Sequence, residues 1–351
     1  IVLLASLILA YIGGAGISSL AIGSLFIFSS ILIYKKIEGP DGFVNTDKKM
    51  LIPAVLILFT GFFSIFFAQN YFLAVKAFLI LIAFFGVLFS AKNFSKNQVL
   101  ISSVVLSVAT FIFALYEYFI ESGGGVVRLT GFVNYTNTLG LYAVIFGFLV
   151  LKQASEFKTK IKWFLFSIVA MDFFVAIMTL SRGVLVALIF SALVVLLIFR
   201  KKINLKRVSK DLVTSLLITA IIFAILVPIK KYINHQPVAL NRGDSSLTET
   251  SNIRLKYFAT ALRMFKDNTF GVGPGNYREA VFSYEKSPVE HSSDPHSFVM
   301  SLLAEYGIFI IFWVYLLSKI IINVVKNRES LTADQVAYLF FGLVFFTHSL
   351  A

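Results

Sequence analysis

The sequence predicts an all-α protein: a polytopic transmembrane helical bundle with one long extracytoplasmic loop that contains an amphipathic helix. Of its 351 residues 58% are hydrophobic and only 14% are charged, whereas soluble domains average roughly 45–50% and about 25%. One soluble core of this size could not bury so much apolar surface. Composition therefore excludes an ordinary soluble enzyme, a disordered chain and a collagen-like fibre. The lack of cysteine also excludes a disulfide scaffold, thiol catalysis, iron–sulfur clusters and cysteine zinc sites.

Apolar runs long enough to suggest membrane helices, which need about 20 residues, recur along the whole chain. The first and last runs reach the chain ends, which predicts a fragment, and the run 138–151 needs extension at its N-terminal end. The eleven predicted spans are 1–13, 17–34, 50–67, 74–91, 98–120, 138–151, 163–180, 184–199, 212–229, 298–318 and 336–351.

Lysine and arginine alternate between the connections of these spans. Every second connection is basic, and this set holds 19 of the 31 basic residues: 35–49, 92–97, 152–162, 200–210 and 319–335. The alternate short connections hold only Arg128 and Arg182. Because basic loops stay in the cytoplasm, the long loop 230–297 is predicted to be extracytoplasmic. Three segments result: an N-terminal transmembrane bundle 1–229, the outer loop 230–297 and C-terminal transmembrane helices 298–351.

The net charge of +13 would suggest a nucleic-acid partner if it were considered alone. Its densest cluster, 200–210, lies between two predicted spans, where it sets topology beside anionic lipid headgroups. We therefore expect membrane lipids and no nucleic acid as partners.

Arginines on the predicted outer side are candidate anion ligands, because a guanidinium can bind phosphate through two hydrogen bonds. Arg182 either extends along its helix end towards the membrane surface or binds an anion. Arg128 precedes Asn134 and Asn137, which either cap the next helix or belong to a helix start that faces an anion.

Arg254 lies on an amphipathic helix predicted over 253–267. On a helical wheel centred on Arg254, Phe265 and Phe258 fall at ~20° and ~40°, and Ala261 at ~340°. Arg254 is thus predicted to stand at the centre of the apolar face, where an unpaired charge costs several kcal/mol. It should pair with a carboxylate or face a ligand, and Glu117 and Glu305 are the candidate carboxylates.

Histidines and one aspartate complete the set of candidate residues. His296, just after Pro295, should start a helix at the membrane surface and could act as a general base. His291 could join it as a metal ligand, but further ligands are not evident. Asp172, in mid-span, is either a proton site or satisfies a polar neighbour. His348 should be a packed or hydrogen-bonded helix residue.

The glycine-rich stretch 271–277 is predicted to be a turn that closes the amphipathic helix. It lacks the Gly-x-Gly-x-x-Gly pattern and the Walker lysine of a phosphate loop. No Asp-x-Asp motif occurs in the chain, so a metal clamp for a nucleotide-sugar donor has no support.

The order of these motifs resembles the O-antigen ligase and polymerase superfamily of bacterial envelope polysaccharide enzymes. The resemblance covers roughly residues 50–351. It includes the ten residues that separate His296 from Gly307, the last residue of Ala-Glu-Tyr-Gly (304–307). The motifs that carry it are Arg-Leu-Thr-Gly-Phe-Val-Asn-Tyr-Thr-Asn (128–137), Leu-Ser-Arg-Gly (180–183), Arg254, Gly-Val-Gly-Pro-Gly-Asn-Tyr (271–277) and His296.

The resemblance implies a GT-C-like, inverting glycosyltransferase in the bacterial cytoplasmic (inner) membrane, with its active site on the extracytoplasmic face and neither a metal nor another cofactor. The donor would be a glycan on undecaprenyl pyrophosphate. The acceptor would be a lipid-anchored or lipid-linked sugar, in lipopolysaccharide, capsule or exopolysaccharide synthesis, and envelope assembly proteins are further candidate partners.

Roles follow from this chemistry residue by residue. His296 would be the base, and Arg254 and Arg182 would bind the pyrophosphate, with Arg128 as a third group. Glu305 would orient an arginine or His296. The alternative is a transporter or flippase of an anionic lipid-linked glycan, although no inverted repeat of the kind common in carriers is evident.

Overall fold

The computed structural model describes residues 48–90, 95–121, 129–130, 136–234, 247–284 and 297–350. These residues form helices and no strands, which confirms the predicted all-helical class for this part of the chain. The helices are α1 Lys48–Ser64, α2 Tyr71–Ser90, α3 Lys96–Tyr116, α4 Thr136–Ala154, α5 Thr159–Met178, α6 Arg182–Phe199, α7 Leu205–Asn234, α8 Leu247–Asp267, α9 Tyr277–Val281, α10 Phe298–Tyr306, α11 Ile310–Lys326 and α12 Ala333–Leu350.

Local sequence explains where α3 begins, and two short helical turns extend α1 and α3. Ser95 accepts a hydrogen bond from the Gln98 amide while the Gln98 side chain accepts one from the Ser95 amide, a capping box that starts α3. A 3₁₀ turn, Ile65–Phe67, extends α1, and a π-helical turn, Glu117–Glu121, extends α3.

Six helical stretches of the described residues are long and apolar enough to cross a membrane. They are Lys96–Ile120, Thr136–Ala154, Lys160–Met178, Arg182–Lys202, Leu205–Ile233 and Phe298–Lys326. Leu51–Phe67 and Tyr71–Ile82 are shorter apolar helices. The predicted spans 1–13 and 17–34 lie outside the described residues, so the total of eleven stays a prediction.

The tenth predicted span, 298–318, is not one continuous helix. It consists of α10 and α11, joined by a 3₁₀ turn at Gly307–Phe309. Gly307 has φ 57° and ψ −133°, a conformation that residues with a Cβ rarely adopt. The glycine therefore interrupts the α-helical ladder within the span.

The chain divides into two compact units that are not continuous in sequence. The first unit contains α1, α2 and α8 to α11, and the second contains α3 to α7 and α12. The predicted division at 229 and 297 follows membrane sidedness instead and stays a prediction.

Close packing of α4 on its neighbours organises the second unit. A Cβ on Gly147 would lie 3.1 Å from the Asp172 Cβ of α5. A Cβ on Gly140 would likewise crowd the Thr179 side chain. Small residues thus let the helix backbones approach closely, which is typical of membrane helices.

Two apolar clusters build the first unit. One joins α1, α2, α10 and α11 through Ile57, Phe85 and Trp313. The other joins α8, α9 and α10 through Met264, Val281 and Ala304, and includes Val272 of the glycine-rich stretch. The amphipathic helix α8 is therefore packed on the span that α10 begins.

Candidate functional site

The structure describes five of the eight residues predicted to form the site. Three lie outside the described residues, namely Arg128, Asn134 and His296, as does His291. The described five belong to two units: Arg254, Glu305 and Gly307 to the first, and Asn137 and Arg182 to the second.

The glycine-rich stretch forms a turn after α8 in which Gly271, Gly273 and Gly275 all have positive φ. This confirms the predicted turn that closes the amphipathic helix. A Cβ on Gly271 would overlap the backbone of Glu305, and a Cβ on Gly273 would lie 2.6 Å from Cα of Ala68. Glycine is required at these positions by both φ and space.

Backbone hydrogen bonds join this glycine loop (residues 268–277) to the interruption between α10 and α11. The amides of Val272 and Gly273 donate to the carbonyls of Ala304 (2.9 Å) and Glu305 (3.1 Å). In return, the Ile308 amide donates to the Thr269 carbonyl at 2.9 Å. The N–H and C=O groups that lose their helical partners at the interruption are thus hydrogen-bonded to the loop. Backbone groups within a membrane need such partners because no water is available there.

The Glu305 carboxylate also binds the loop. Its Oε2 accepts from the Gly275 amide at 2.9 Å, and its Oε1 accepts from the Tyr277 amide at 3.3 Å. A carboxylate within a predicted span is costly unless it is paired, and here it is paired with two N–H groups, one of them at the start of α9. The predicted role, orientation of an arginine or His296, stays a prediction.

Asn276 is a structural residue that sequence reasoning missed. Its side chain is fully buried; its Oδ1 accepts from the Asn70 amide at 2.7 Å and its Nδ2 donates to the Pro274 carbonyl at 2.9 Å. The Asn70 side chain in turn accepts from the Phe72 amide at the start of α2. No local pattern signals this contact, because the two asparagines are 206 residues apart.

Arg254 is half-buried, whereas a place at the centre of the apolar face implied a buried charge. The residues of α8 that pack against the protein are Thr260, Ala261 and Met264, at ~240°, ~340° and ~280° from Arg254. Only one side of the wide apolar arc is buried, so Arg254 stands at its edge. Its guanidinium forms no ion pair with a described carboxylate, in contrast to Lys96, Lys152 and Lys162.

Arg182 is the first residue of α6 and is exposed. Ser181 caps this helix by accepting from the Val184 amide, and its hydroxyl donates to Oδ1 of Asn137 at 2.9 Å. Leu180 has φ 50°, so a sharp turn presents Arg182 at the helix start. Asn137 therefore positions the turn that carries Arg182, in addition to its place near the start of α4.

His348 of α12 lies close to this helix start. A Cβ on Gly183 would be 3.7 Å from the His348 ring, and the histidine is half-buried. This agrees with the predicted packed helix residue and places an imidazole next to the residue that follows Arg182.

Glu117 fixes the segment that follows Arg128. Its carboxylate accepts from the Thr130 amide at 2.8 Å (Oε1) and 2.9 Å (Oε2), and from the Thr130 hydroxyl at 2.7 Å. The Leu129 amide donates to the Met178 carbonyl at 3.3 Å. These bonds hold residues 129 and 130 at the end of the second unit where α5 ends and α6 begins.

The opposite end of the second unit is rich in lysine. Asp334, at the start of α12, binds Lys96 at 2.6 Å and Lys152 at 2.9 Å, and these two ammonium groups lower the pKa of the Asp334 carboxyl. Lys162 binds Asp211 at 3.0 Å. These residues come from connections that the basic-residue count assigns to one side, so within this unit the structure agrees with the predicted alternation.

No group of three or more metal-ligating side chains occurs among the described residues. Cations are supplied here by arginine and lysine side chains. Guanidinium and backbone N–H groups of the described site can neutralise negative charge and donate hydrogen bonds.

Comparison with known proteins identifies one family. No curated protein matches the chain. Residues 164–314 match the family model of the O-antigen ligases. This segment runs from α5 to the first part of α11 and contains Arg182, Arg254, the glycine loop, Glu305 and Gly307. For this segment, the match confirms the resemblance to the O-antigen ligase and polymerase superfamily that the motifs indicate.

Proposed function

We propose that this protein is a GT-C-like inverting glycosyltransferase of the bacterial inner membrane, with eleven spans in this chain and its active site on the extracytoplasmic face. It transfers a glycan from undecaprenyl pyrophosphate to a lipid-anchored or lipid-linked sugar. The observation that carries the proposal is the family match over residues 164–314, which contains Arg182 and Arg254 outside any ion pair with a described carboxylate.

The reaction needs a leaving group whose charge is neutralised and an acceptor whose proton is removed. A hydroxyl oxygen of the acceptor attacks the anomeric carbon of the donor, the bond from that carbon to the phosphate oxygen breaks, and the lipid pyrophosphate leaves. Arg254 and Arg182 supply positive charge to the pyrophosphate, and Arg128 is a third such group. His296 takes the hydroxyl proton.

Other residues hold this machinery in place. Glu305 holds the glycine loop against the broken span, and Gly307 leaves room for the Thr269 carbonyl oxygen, which a Cβ would overlap. Asn137 positions the turn before Arg182. Asn134 completes the motif between Arg128 and α4.

The test uses purified full-length protein, a lipid-pyrophosphate-linked glycan and candidate acceptors. Arg254→Ala and His296→Ala should each abolish glycan transfer while membrane insertion is unchanged. Arg263→Ala is the matched control, because Arg263 lies on the same helix but is exposed and donates a hydrogen bond to the Thr260 hydroxyl at 3.2 Å. Near-normal transfer by either of the first two variants would refute the role of that residue.

The same assay separates the remaining alternatives. Growth of the glycan on the lipid carrier indicates a polymerase, and transfer to a different anchor indicates a ligase. Movement of the lipid-linked glycan across the bilayer with no glycosidic bond formed would favour the transporter or flippase.

A further inference from the structure

The amphipathic helix α8 has an apolar edge that no described residue covers. Leu255 is 62% exposed and Leu262 is 50% exposed, and they fall at ~100° and ~80° on the helical wheel. The packed residues of α8 lie on the opposite flank of Arg254, at ~240°, ~340° and ~280°. They are Thr260, Ala261 and Met264. Half of the apolar arc thus packs on the protein and half remains uncovered.

Basic side chains border this uncovered edge. Lys266, Arg263 and Lys256 are exposed and lie at ~120°, ~180° and ~200°. An apolar edge followed by a cationic row is the pattern of a helix that lies in a membrane interface, with its apolar side chains towards the acyl chains and its cations among anionic headgroups.

The contacts of the residues after α8 place its C-terminal end at the level of a membrane span. The Val272 amide bonds to the carbonyl of Ala304, six residues into the candidate span Phe298–Lys326. At 1.5 Å per residue, this is ~9 Å along the helix from its start. Val272, five residues after the end of α8, therefore lies deeper in the membrane than the end of the span that Phe298 marks.

An exposed aromatic surface continues from α8 to the membrane helices. Phe270 stacks on Phe67 with ring centroids 5.3 Å apart, and Phe67 ends the apolar helix Leu51–Phe67. Both rings are partly exposed, as are Phe66 on the same helix and Ile311 on α11. The chain that leaves α8 thus presents an exposed aromatic side chain next to the end of an apolar helix.

We propose that α8 is an interfacial helix whose partner is the lipid bilayer, at the Phe298 end of the span 298–326. Leu255 and Leu262 insert at the boundary between headgroups and acyl chains, and Arg263 and Lys266 contact anionic headgroups. Arg254, between the packed and the inserted side, then lies at headgroup depth. This proposal rests on the membrane span and not on the proposed activity.

The absence of cysteine gives a direct test without background labelling. Leu255→Cys, Leu262→Cys and Arg263→Cys are each made in the full chain, labelled with an environment-sensitive fluorophore and reconstituted in vesicles of phosphatidylethanolamine and phosphatidylglycerol. Quenching by lipids with a nitroxide high on the acyl chain is compared with quenching by aqueous iodide. The ratio of lipid to iodide quenching should be several-fold higher at positions 255 and 262 than at 263.

Two results would overturn the proposal. Equal iodide quenching at positions 262 and 263 would mean that the apolar edge faces water. Protection of position 262 from iodide without quenching by the nitroxide lipid, together with a disulfide between two Leu262→Cys chains, would mean that a second copy of the chain covers it. An active enzyme with position 262 in water would reject this inference alone, whereas an inactive enzyme with 262 in lipid would reject only the proposed activity.

Discussion

The carboxylate of Glu305 accepts a hydrogen bond from the backbone amide of Gly275 at 2.9 Å, across 30 residues of chain. The same carboxylate accepts from the Tyr277 amide, and the Glu305 carbonyl accepts from the Gly273 amide. One residue therefore holds the loop after the amphipathic helix against the interrupted span. The match to the O-antigen ligases includes both partners.

Replacement of this carboxylate should loosen the loop. Glu305→Gln keeps one acceptor oxygen but turns an N–H group towards one of the two amides, so we expect a loss of about 1 kcal/mol in the free energy of unfolding. Thermal unfolding in detergent measures it. Glu279→Gln, an exposed change in the neighbouring helix α9, is the control, and an equal stability of the two variants would contradict the role of Glu305.

Gly271 should not tolerate a side chain. Gly271→Ala places a Cβ at φ 85° and into the Glu305 backbone. The left-handed conformation alone costs about 1–2 kcal/mol, and the overlap displaces the loop further. Gly342→Ala in α12 is the control, since its Cβ meets nothing within 4 Å and alanine favours a helix by about 1 kcal/mol. Unfolding temperatures should move in opposite directions; a Gly271→Ala protein as stable as the control would disprove the constraint.

The ion pairs of Asp334 should stabilise α12 in a pH-dependent way. Because Lys96 and Lys152 lower the pKa of this carboxyl in the folded protein, the pairing contributes fully above the unfolded pKa of about 3.9 and is lost as pH falls through the folded value. Asp334→Asn should therefore destabilise the protein by up to about 1 kcal/mol at pH 7. The difference from the unchanged protein should shrink as pH falls below about 3.9, and a difference that does not decrease at all as pH is lowered would argue against it.

Asp172 offers a test between a structural and a proton-transfer role. It is fully buried, and its Oδ2 accepts from the Ser107 hydroxyl at 2.7 Å, which agrees with the predicted polar neighbour. Asp172→Asn keeps an acceptor for Ser107 and a similar side-chain volume, so the protein should still fold, with a loss of about 1 kcal/mol in the free energy of unfolding. Normal glycan transfer by this stable variant supports the structural role, and a complete loss of transfer supports the proton site.

Much of the helical architecture could be predicted from local sequence because a spanning helix satisfies its own backbone and needs only about 20 apolar residues. The extent of α4 and α5, the alternation of basic connections and the amphipathic α8 all follow from this. The motif order also predicted the family resemblance, and the family match covers the segment that contains Arg182, Arg254 and Gly307. The roles of Arg128, Asn134 and His296 remain predictions, as these residues lie outside the described part of the chain.

Sequence by itself determined which segments are helical and which connections are basic, since each depends on residues that are near one another in the chain. It also determined which family the motifs resemble, because the order of motifs along a chain needs no tertiary structure. Tertiary structure decided which half of the apolar face of α8 is packed, so that Arg254 lies at the edge of the packed half. It also decided that Gly307 interrupts a span and that Asn276 binds Asn70. These contacts join segments that are distant in the chain. They form because buried N–H and C=O groups without a partner in their own helix must be hydrogen-bonded by another segment.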